Sequence, residues 1–303
     1  MATITEIIES KPEMVTLVTH ISEPRHHCDD VSATALLRIL LNKYNIGHKT
    51  IHTYYPEKYF GYTDSTPNVI IYDIGLGMYD HHQPSPDDTH CLRIDNDGIV
   101  RKYSSVGLLW REIGHLLVPE EYTKEVYNHV IKAIDDQDNG NAYNPLSFCI
   151  GCMNTPPNRK KIYENEAFER AVDVMKTLFN AVFETYNAKK EEKDIAIKIM
   201  DDFKSKNKQY VITDSYISCM SELCAKENIP FYIYPNSRRD KGFCFRTITP
   251  IGGEMNDHIV DIPQEVRNWE GVTFLHPSAF LGSAISKERA VEIVELILKN
   301  TNK

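Results

Sequence analysis

A chain of 303 residues with 42% apolar content can bury a substantial core, and its length is that of two ordinary domains. A net charge of −9 excludes a generic basic nucleic-acid coat, so a polyanionic substrate would have to be met by local positive charge or by bound cations. No run approaches the ~18 consecutive apolar residues of a membrane span, and "MATITEIIESKPE" is too acidic and polar for a signal peptide, so a soluble, cytoplasmic protein without a membrane partner is expected.

In chain order, "MVTLVTH" (14 to 20) alternates, is rich in β-branched residues and reads as a strand ending at His20. "DDVSATALLRILLNKYNIG" then places Val31, Ala35, Leu36, Ile39 and Leu40 at helical spacing, with Asp29 or Asp30 as the N-cap. "HKTIHTYY" and "PNVIIYD" (67 to 73) are further strands, the latter apolar and continuous like a buried parallel strand. Helical patterns at 104 to 117 and 121 to 136 follow, and the alternation of strand with helix predicts a parallel sheet covered on both faces. Residues 162 to 205 are charged and helical in pattern, a connector rather than a core. A second alternating set has "QYVIT" as a strand, "DSYISCMSELCAKEN" as a helix capped by Asp214, and "PFYIYP" and "GFCFRTITP" as strands. A last helix at 286 to 299 opens on Ser286 and buries Ala290, Ile293, Val294 and Ile297.

Seven cysteines, an odd number, are scattered along the chain and read as reduced thiols. "FCIGCMN" gives Cys149 and Cys152 the CxxC spacing, but no second pair follows to complete a four-ligand zinc site, so packing or incidental thiols are the simpler reading.

The polar residues gather where a parallel sheet presents ligand sites, beyond the carboxyl ends of its strands. His20 ends the first strand, and "HHCDD" (His26, His27, Cys28, Asp29, Asp30) fills the following loop, with His26 read as a surface residue. Asp73 ends the third strand, Asp80, His81 and His82 lie in the next loop, and "IDDQDNG" offers Asp135, Asp136 and Asp138. Any one of these aspartates is more simply a cap or turn former. Together, in a partly desolvated cleft, they would repel and take up protons unless divalent cations bound among them. Mixed oxygen and imidazole ligands suit manganese, iron or zinc, with manganese favoured where carboxylates dominate, and two such ions would clamp a phosphoryl group with Asp73 between them.

The run "DHH" at 80 to 82, after a strand ending in Asp73 and before an acidic "DNG", resembles the DHH phosphoesterase superfamily of two-domain, mostly manganese-dependent hydrolases. Within it, "HHCDDVSATALLRIL", "YDIGLGMYDHHQ", "YSSVGLLWREIG", "IDDQDNG" and "FLHPSAFLGSAISKERAVEIV" resemble, in order over residues 14 to 298, the melanocyte-proliferating-gene (Myg) family, whose eukaryotic members include an RNA exonuclease. The resemblance implies an α/β fold, with a parallel-sheet N-terminal DHH-type domain and a smaller α/β C-terminal domain. The expected division is 1–160 catalytic, 161–205 helical connector and 206–303 substrate-binding. It implies His20, His27 and Asp29 as ligands, Asp73 as the bridge, and His81 or His82 with Asp138 completing two sites, with Asp135 as the alternative to Asp138. Asp80 would orient a neighbouring imidazole, making Asp80, His81 and His82 the catalytic group. Departures are a long gap from His20 to His27, Asp30 where the family has Glu, and Ala279 and Ser283 in place of glycines in "HPSAFLGS".

In the second domain His276 and Ser278 lie in that last block, and "NSRRDKGFCFR" concentrates Arg238, Arg239, Lys241 and Arg246. A phosphate-reading patch and a solvated hairpin turn explain the first three equally, and a turn explains His276 as well as a phosphate contact does. The expected function is a phosphoesterase using two divalent cations, manganese first with magnesium or zinc as alternatives. It would close the second domain over single-stranded RNA or a short oligonucleotide and attack phosphorus with activated water. A homodimer is a further expectation. The rival readings are a small-molecule phosphatase or pyrophosphatase, and a metal-binding protein of weakened activity.

Overall fold

The protein is described by a computed structural model over residues 3–20, 26–82, 89–154, 164–204, 209–237, 242–254 and 256–301. Arg238, Arg239 and Lys241 fall outside the described residues. The chain forms two compact units, Met1–Asn187 and Ala188–Lys303. No helix among the described residues is long and apolar enough to cross a membrane.

The first unit runs α1 (Ile4–Ser10), β1 (Met14–Thr19), α2 (Cys28–Lys43), β2 (Gly47–His52), α3 (Pro56–Phe60) and β3 (Val69–Ile71). The hairpin β4 (Leu92–Ile94) and β5 (Val100–Lys102) follows, then α4 (Ser105–Leu117), α5 (Glu120–Val126), α6 (Lys132–Asp138) and α7 (Pro145–Gly151). A π-turn at Tyr127–Ile131 interrupts what the sequence reads as one helix between α5 and α6. The sheet order is β2-β1-β3 and every pairing is parallel, as the continuous apolar strands require.

Alternation along β1 sends Val15 and Leu17 into the main core and Val18 to the opposite face, where it packs with Val69, Ile71, Tyr62 and Ile74. Helices cover one face, and a small cluster that includes loop residues covers the other. The central helix is α2, whose Leu36, Leu37, Leu40 and Leu41 are fully buried. Its N-cap is His27, which places Asp29 and Asp30 inside the first turn rather than at the cap position expected for one of them. There they face the helix's positive end.

Helix α8 (Glu164–Lys204) corrects the expectation of a connector without core residues. Phe168, Ala171, Val172, Met175, Phe179 and Phe183 recur at helical spacing and belong to the first unit's core, while Ala196 and Met200 pack in the second.

The second unit contains β6 (Tyr210–Ile212), α9 (Met220–Lys226), β7 (Phe231–Pro235), β8 (Phe243–Thr247), β9 (Val272–Leu275), β10 (Leu281–Ala284) and α10 (Lys287–Thr301). Its sheet has the order β6-β7-β8-β10-β9 and is mixed: only β6 and β7 are parallel. The helix expected from Asp214 begins at Met220 instead. Thr213 Oγ1 donates to the Ser215 carbonyl at 2.6 Å and the Ile217 amide donates to Tyr232 Oη at 2.9 Å, so the intervening chain is tied into a turn. Ser286 accepts from the Arg289 amide at 3.1 Å, and α10 buries the four expected apolar residues.

Tyr72 ties the end of β3 to α2: it is fully buried, and its hydroxyl lies 2.6 Å from Thr34 Oγ1. Thr34 also donates to the Asp30 carbonyl at 2.7 Å, so it keeps a partner when the phenol is removed. Tyr72→Phe is expected to cost about 1 kcal/mol in urea unfolding and Tyr72→Ala about 3–5 kcal/mol. Equal losses for both would show that the hydroxyl, not the ring, holds this junction.

Candidate metal centre

Two strands of the parallel sheet, β1 and β3, deliver polar residues to the same edge. His20 follows β1 directly, and the chain past β3 turns sharply at Asp73, whose φ of +58° is a left-handed conformation unusual outside glycine but tolerated by Asp. The Asp73 amide donates to the Tyr79 carbonyl at 3.0 Å, and Asp80 closes the loop by accepting from the Leu76 amide at 2.7 Å. Those two bonds aim Asp73, His81 and His82 at one place.

Asp29 is fixed from a different direction, by the N-terminus of α4. Its Oδ1 accepts from the Val106 amide at 2.8 Å and from Ser104 Oγ at 2.7 Å, and its Oδ2 accepts from the Ser105 amide at 3.0 Å. Ser105 Oγ donates to Asp73 Oδ1 at 3.1 Å. The two serines of "YSSVG" therefore hold two of the carboxylates, a role the sequence alone did not reveal.

Among the described residues three sets of potential ligand atoms lie within 4.8 Å of one another: His20, Asp30 and Asp73; Asp73, His81 and His82; and Asp29, His81 and Asp138. His20 Nδ1 is 2.8 Å from Asp73 Oδ2, while His81 Nε2 is 3.3 Å from Asp73 Oδ1 and 3.2 Å from Asp138 Oδ2. The two oxygens of Asp73 thus face different imidazoles. His82 Nδ1 stands 2.8 Å from Asp80 Oδ1 and its side chain is 59% exposed.

Not every expected ligand joins these sets. His27 stands with its ring 5.8 Å from that of His20 and lines a cleft of about 680 Å³ together with Asp29, Asp138, Tyr143 and Phe148. Asp135 is turned away: Oδ1 lies 2.7 Å from Ser104 Oγ, and Oδ2 accepts from Tyr127 Oη at 2.8 Å and Arg93 Nη1 at 3.2 Å. Arg93 also grips Asp136 and Asp95, so of the three acids in "IDDQDNG" only Asp138 reaches the centre. Gly107 permits this packing, because a Cβ there would sit 2.4 Å from both Asp135 oxygens. Asp30 was not expected among the ligands, yet it is buried in the His20 set. His26, expected at the surface, is buried with its amide donating to Asn154 Oδ1 at 2.8 Å, and burial lowers its pKa to about 4.

In the second unit Arg246 lies on β8 with its guanidinium 5.5 Å from the centre of the Phe280 ring, in a pocket of about 480 Å³ with Tyr216, Tyr234, Phe274 and Ser283. The His276 ring is 4.4 Å from that of Phe280, and its Nδ1 accepts from the Ser278 amide at 3.1 Å. Ala279, in a glycine position of the family motif, has a φ of +52°. All seven cysteines are free.

The electrostatics of the centre are frustrated without a cation. Burial raises the pKa values of Asp29 and Asp30, reinforced by neighbouring carboxylates, and burial likewise raises that of Asp138. Burial opposes ionisation of Asp73 too, but its contacts with His20 and His81 outweigh it and hold the carboxyl well below the usual range. The donor set fits a divalent ion. Ligand atoms held 2.0–2.2 Å from a shared ion stand about 3.0–3.5 Å apart, the spacing seen around His81. His20 Nδ1 is buried 2.8 Å from Asp73 Oδ2, a separation that a shared cation would also impose.

The acids and imidazoles gathered at this sheet edge form a candidate divalent-cation centre. The MYG1_exonuc family, described as Uncharacterised protein family (UPF0160), matches residues 16–298, and the chain belongs to that family. No curated protein matches significantly. Among solved structures, a pGpG-specific phosphodiesterase, PggH, from Vibrio cholerae is 15% identical, with 96% of this chain and 99% of that one covered at a TM-score of 0.30. A manganese-bound RecJ exonuclease is 11% identical over 96% of this chain and 92% of that one, at a TM-score of 0.27. RecJ from Thermus thermophilus with Mn2+ is 9% identical over 97% and 52%, at 0.28. Likeness at this level carries no functional weight.

Asparagine tolerates the left-handed backbone at least as well as aspartate, so Asp73→Asn separates geometry from charge. Wild-type protein is expected to gain thermal stability with Mn2+, by about 2.7 kcal/mol at a hundredfold excess over Kd, and Asp73→Asn to lose that gain, starting from a lower metal-free melting temperature because the contacts of the ionised carboxylate with His20 and His81 go with its charge. An undiminished Mn2+ shift in the variant would remove Asp73 from the ligand set. Burial favours neutral His81, but its contact with Asp73 and the charges of Asp29 and Asp138 raise its pKa to about 9. A cation must displace that proton, so Mn2+ affinity is expected to rise from about pH 6 to about pH 9 with proton release, measured by titration calorimetry in buffers of different ionisation enthalpy. A Kd constant over that interval would contradict the competition.

Proposed function

We propose that this protein hydrolyses phosphodiester bonds of single-stranded RNA or short oligonucleotides from an end, using two divalent cations, manganese in the first place. The observation that carries this reading is the placement of Asp73. Its Oδ2 faces His20 and Asp30, its Oδ1 faces His81 and His82, and Asp29 and Asp138 complete the second side. Asp73 would bridge the ions, with His20 and Asp30 on one and His81, Asp29 and Asp138 on the other. Held by these side chains, divalent cations would supply polarisation of the phosphoryl oxygens and a lowered pKa for the attacking water.

Asp80 is a positioning residue. Its Oδ1 lies 2.8 Å from His82 Nδ1 and accepts from the His82 amide at 2.9 Å, which fixes the exposed ring and leaves Nε2 as the nitrogen free to meet substrate. That contact also raises the His82 pKa, so Nε2–H is the group to which we assign proton delivery to the leaving oxygen as the phosphorus–oxygen bond breaks. Arg246, with His276 and Ser278, is the proposed substrate contact of the second unit. Arg239 is carried on sequence alone. An oligonucleotide of few phosphates suits a chain of net charge −9 better than long duplex, because counterion release needs many cationic contacts.

The test is to offer Mn2+-loaded protein end-labelled oligoribonucleotides, a nucleoside bisphosphate and pyrophosphate in parallel. Stepwise shortening of the oligoribonucleotides, abolished by EDTA and lowered about 10²-fold or more by His82→Ala, is the expected result. Turnover of pyrophosphate alone, or hydrolysis indifferent to EDTA, would overturn the reading.

A further inference from the structure

The loop after β2 and the short helix α3 expose an aromatic ledge that the reaction above does not use. Tyr54, Tyr55, Tyr59 and Phe60 are 48%, 58%, 63% and 45% exposed, and Tyr62 stacks on Phe60 with ring centres 5.6 Å apart. So many exposed rings in so short a segment form an apolar patch of the kind that marks a binding surface. The tyrosine hydroxyls keep the outer ends of these rings wet, which limits aggregation.

Three features say what covers it. Residues 53–63, "TYYPEKYFGYT", contain no Leu, Ile, Val or Met, the aliphatic anchors on which a protein partner usually relies, whereas every nucleobase offers a π face to an aromatic ring. Lys58 Nζ sits 5.4 Å from the Tyr55 ring centre and 5.3 Å from that of Tyr59, placing a cation among the rings of an otherwise acidic chain, where phosphates between stacked bases would pass. The third feature is continuity with the cation cluster. The Thr53 amide donates to the carbonyl of Thr19, the residue before His20. A groove of about 820 Å³ lined by Tyr54, Tyr55, Lys58 and Tyr62, with the carboxylates of Glu57 and Asp64 also on its wall, reaches Ile71 and Gly75, which flank Asp73 on either side in sequence. That volume accommodates a nucleotide-sized group.

We infer that the ledge of Tyr54, Tyr55, Tyr59, Phe60 and Tyr62 with Lys58 stacks the bases of a single-stranded oligonucleotide outside the cation cluster. The inference rests on the phosphodiester reading for the choice of ligand. Duplex is excluded by the same chemistry, because its bases are already stacked on one another. The ledge makes affinity grow with chain length, since each further base finds a ring.

The test needs no turnover. Fluorescence anisotropy of labelled oligouridylate of about ten nucleotides and of a uridine dinucleotide is followed on the full-length protein in EDTA. Wild type is expected to prefer the longer chain, and the double variant Tyr55→Ala/Tyr59→Ala to bind it about ten-fold or more weakly, erasing that preference. Tyr55→Phe/Tyr59→Phe keeps the rings and is expected to bind as wild type. Lys58→Ala lowers the slope of log affinity against log salt by about 0.7. All three are surface changes whose folding is checked by melting temperature. Unchanged binding by the double alanine variant, or no length preference in the wild type, would overturn the inference and leave the ledge to a protein partner. If ledge-dependent binding holds while no phosphodiester is cleaved, the proposed reaction falls and the oligonucleotide surface stands.

Discussion

The structure turns on repulsion between carboxylates forced together at the end of a parallel sheet. Asp29, Asp30 and Asp73 are all but fully buried, and Asp138 joins them through His81. Removing such groups from water disfavours their charge, and crowding them disfavours it again. A fold selected only for stability would replace them with apolar residues, because buried charge without compensation costs several kcal/mol. Here the opposite has happened. The N-terminus of α4, Ser104 and Ser105 spend hydrogen bonds on holding the carboxylates in place, and a strained backbone at Asp73 aims one of them between two pairs of partners. Such an arrangement is consistent with a centre completed by cations.

The supporting structure has the same logic. Arg93 occupies Asp135 and Asp136, and Asp135 in turn meets Ser104, so an ion-pair cluster built on the β4–β5 hairpin reaches Asp29 through one serine hydroxyl. That hydroxyl carries a single proton and lies 2.7 Å from an oxygen of each aspartate, so it links their protonation as well as their positions. Asp80 does for His82 what Ser105 does for Asp29 and Asp73. Rigid elements fix the groups that face the centre, and the exposed ring of His82 is the part left open to a substrate.

Much of this was legible in the sequence. The apolar runs of β1 and β3, the spacing in α2 and α10, and the acids and imidazoles after each strand are local signals, and local signals survive folding. What escaped was non-local. Nothing near Asp30 says that it will meet His20 and Asp73, because that contact depends on how deeply the first turn of α2 is buried. Asp135 and Asp138 look alike in "IDDQDNG", and only the distant Arg93 separates them. The antiparallel majority of the second sheet is likewise set by pairing, since strands such as Phe243–Thr247 read the same in either direction. Helix α8 shows the converse error: its charged solvent face hid an apolar stripe that belongs to the core.

The central claim is that these side chains are ligands. Crystals grown with Mn2+, measured at the manganese absorption edge, test it directly, because anomalous density locates the ions and names their neighbours. The account predicts peaks enclosed by His20, Asp30 and Asp73 and by Asp73, His81, Asp29 and Asp138. Manganese bound only at surface carboxylates, with no density beside Asp73, would contradict it.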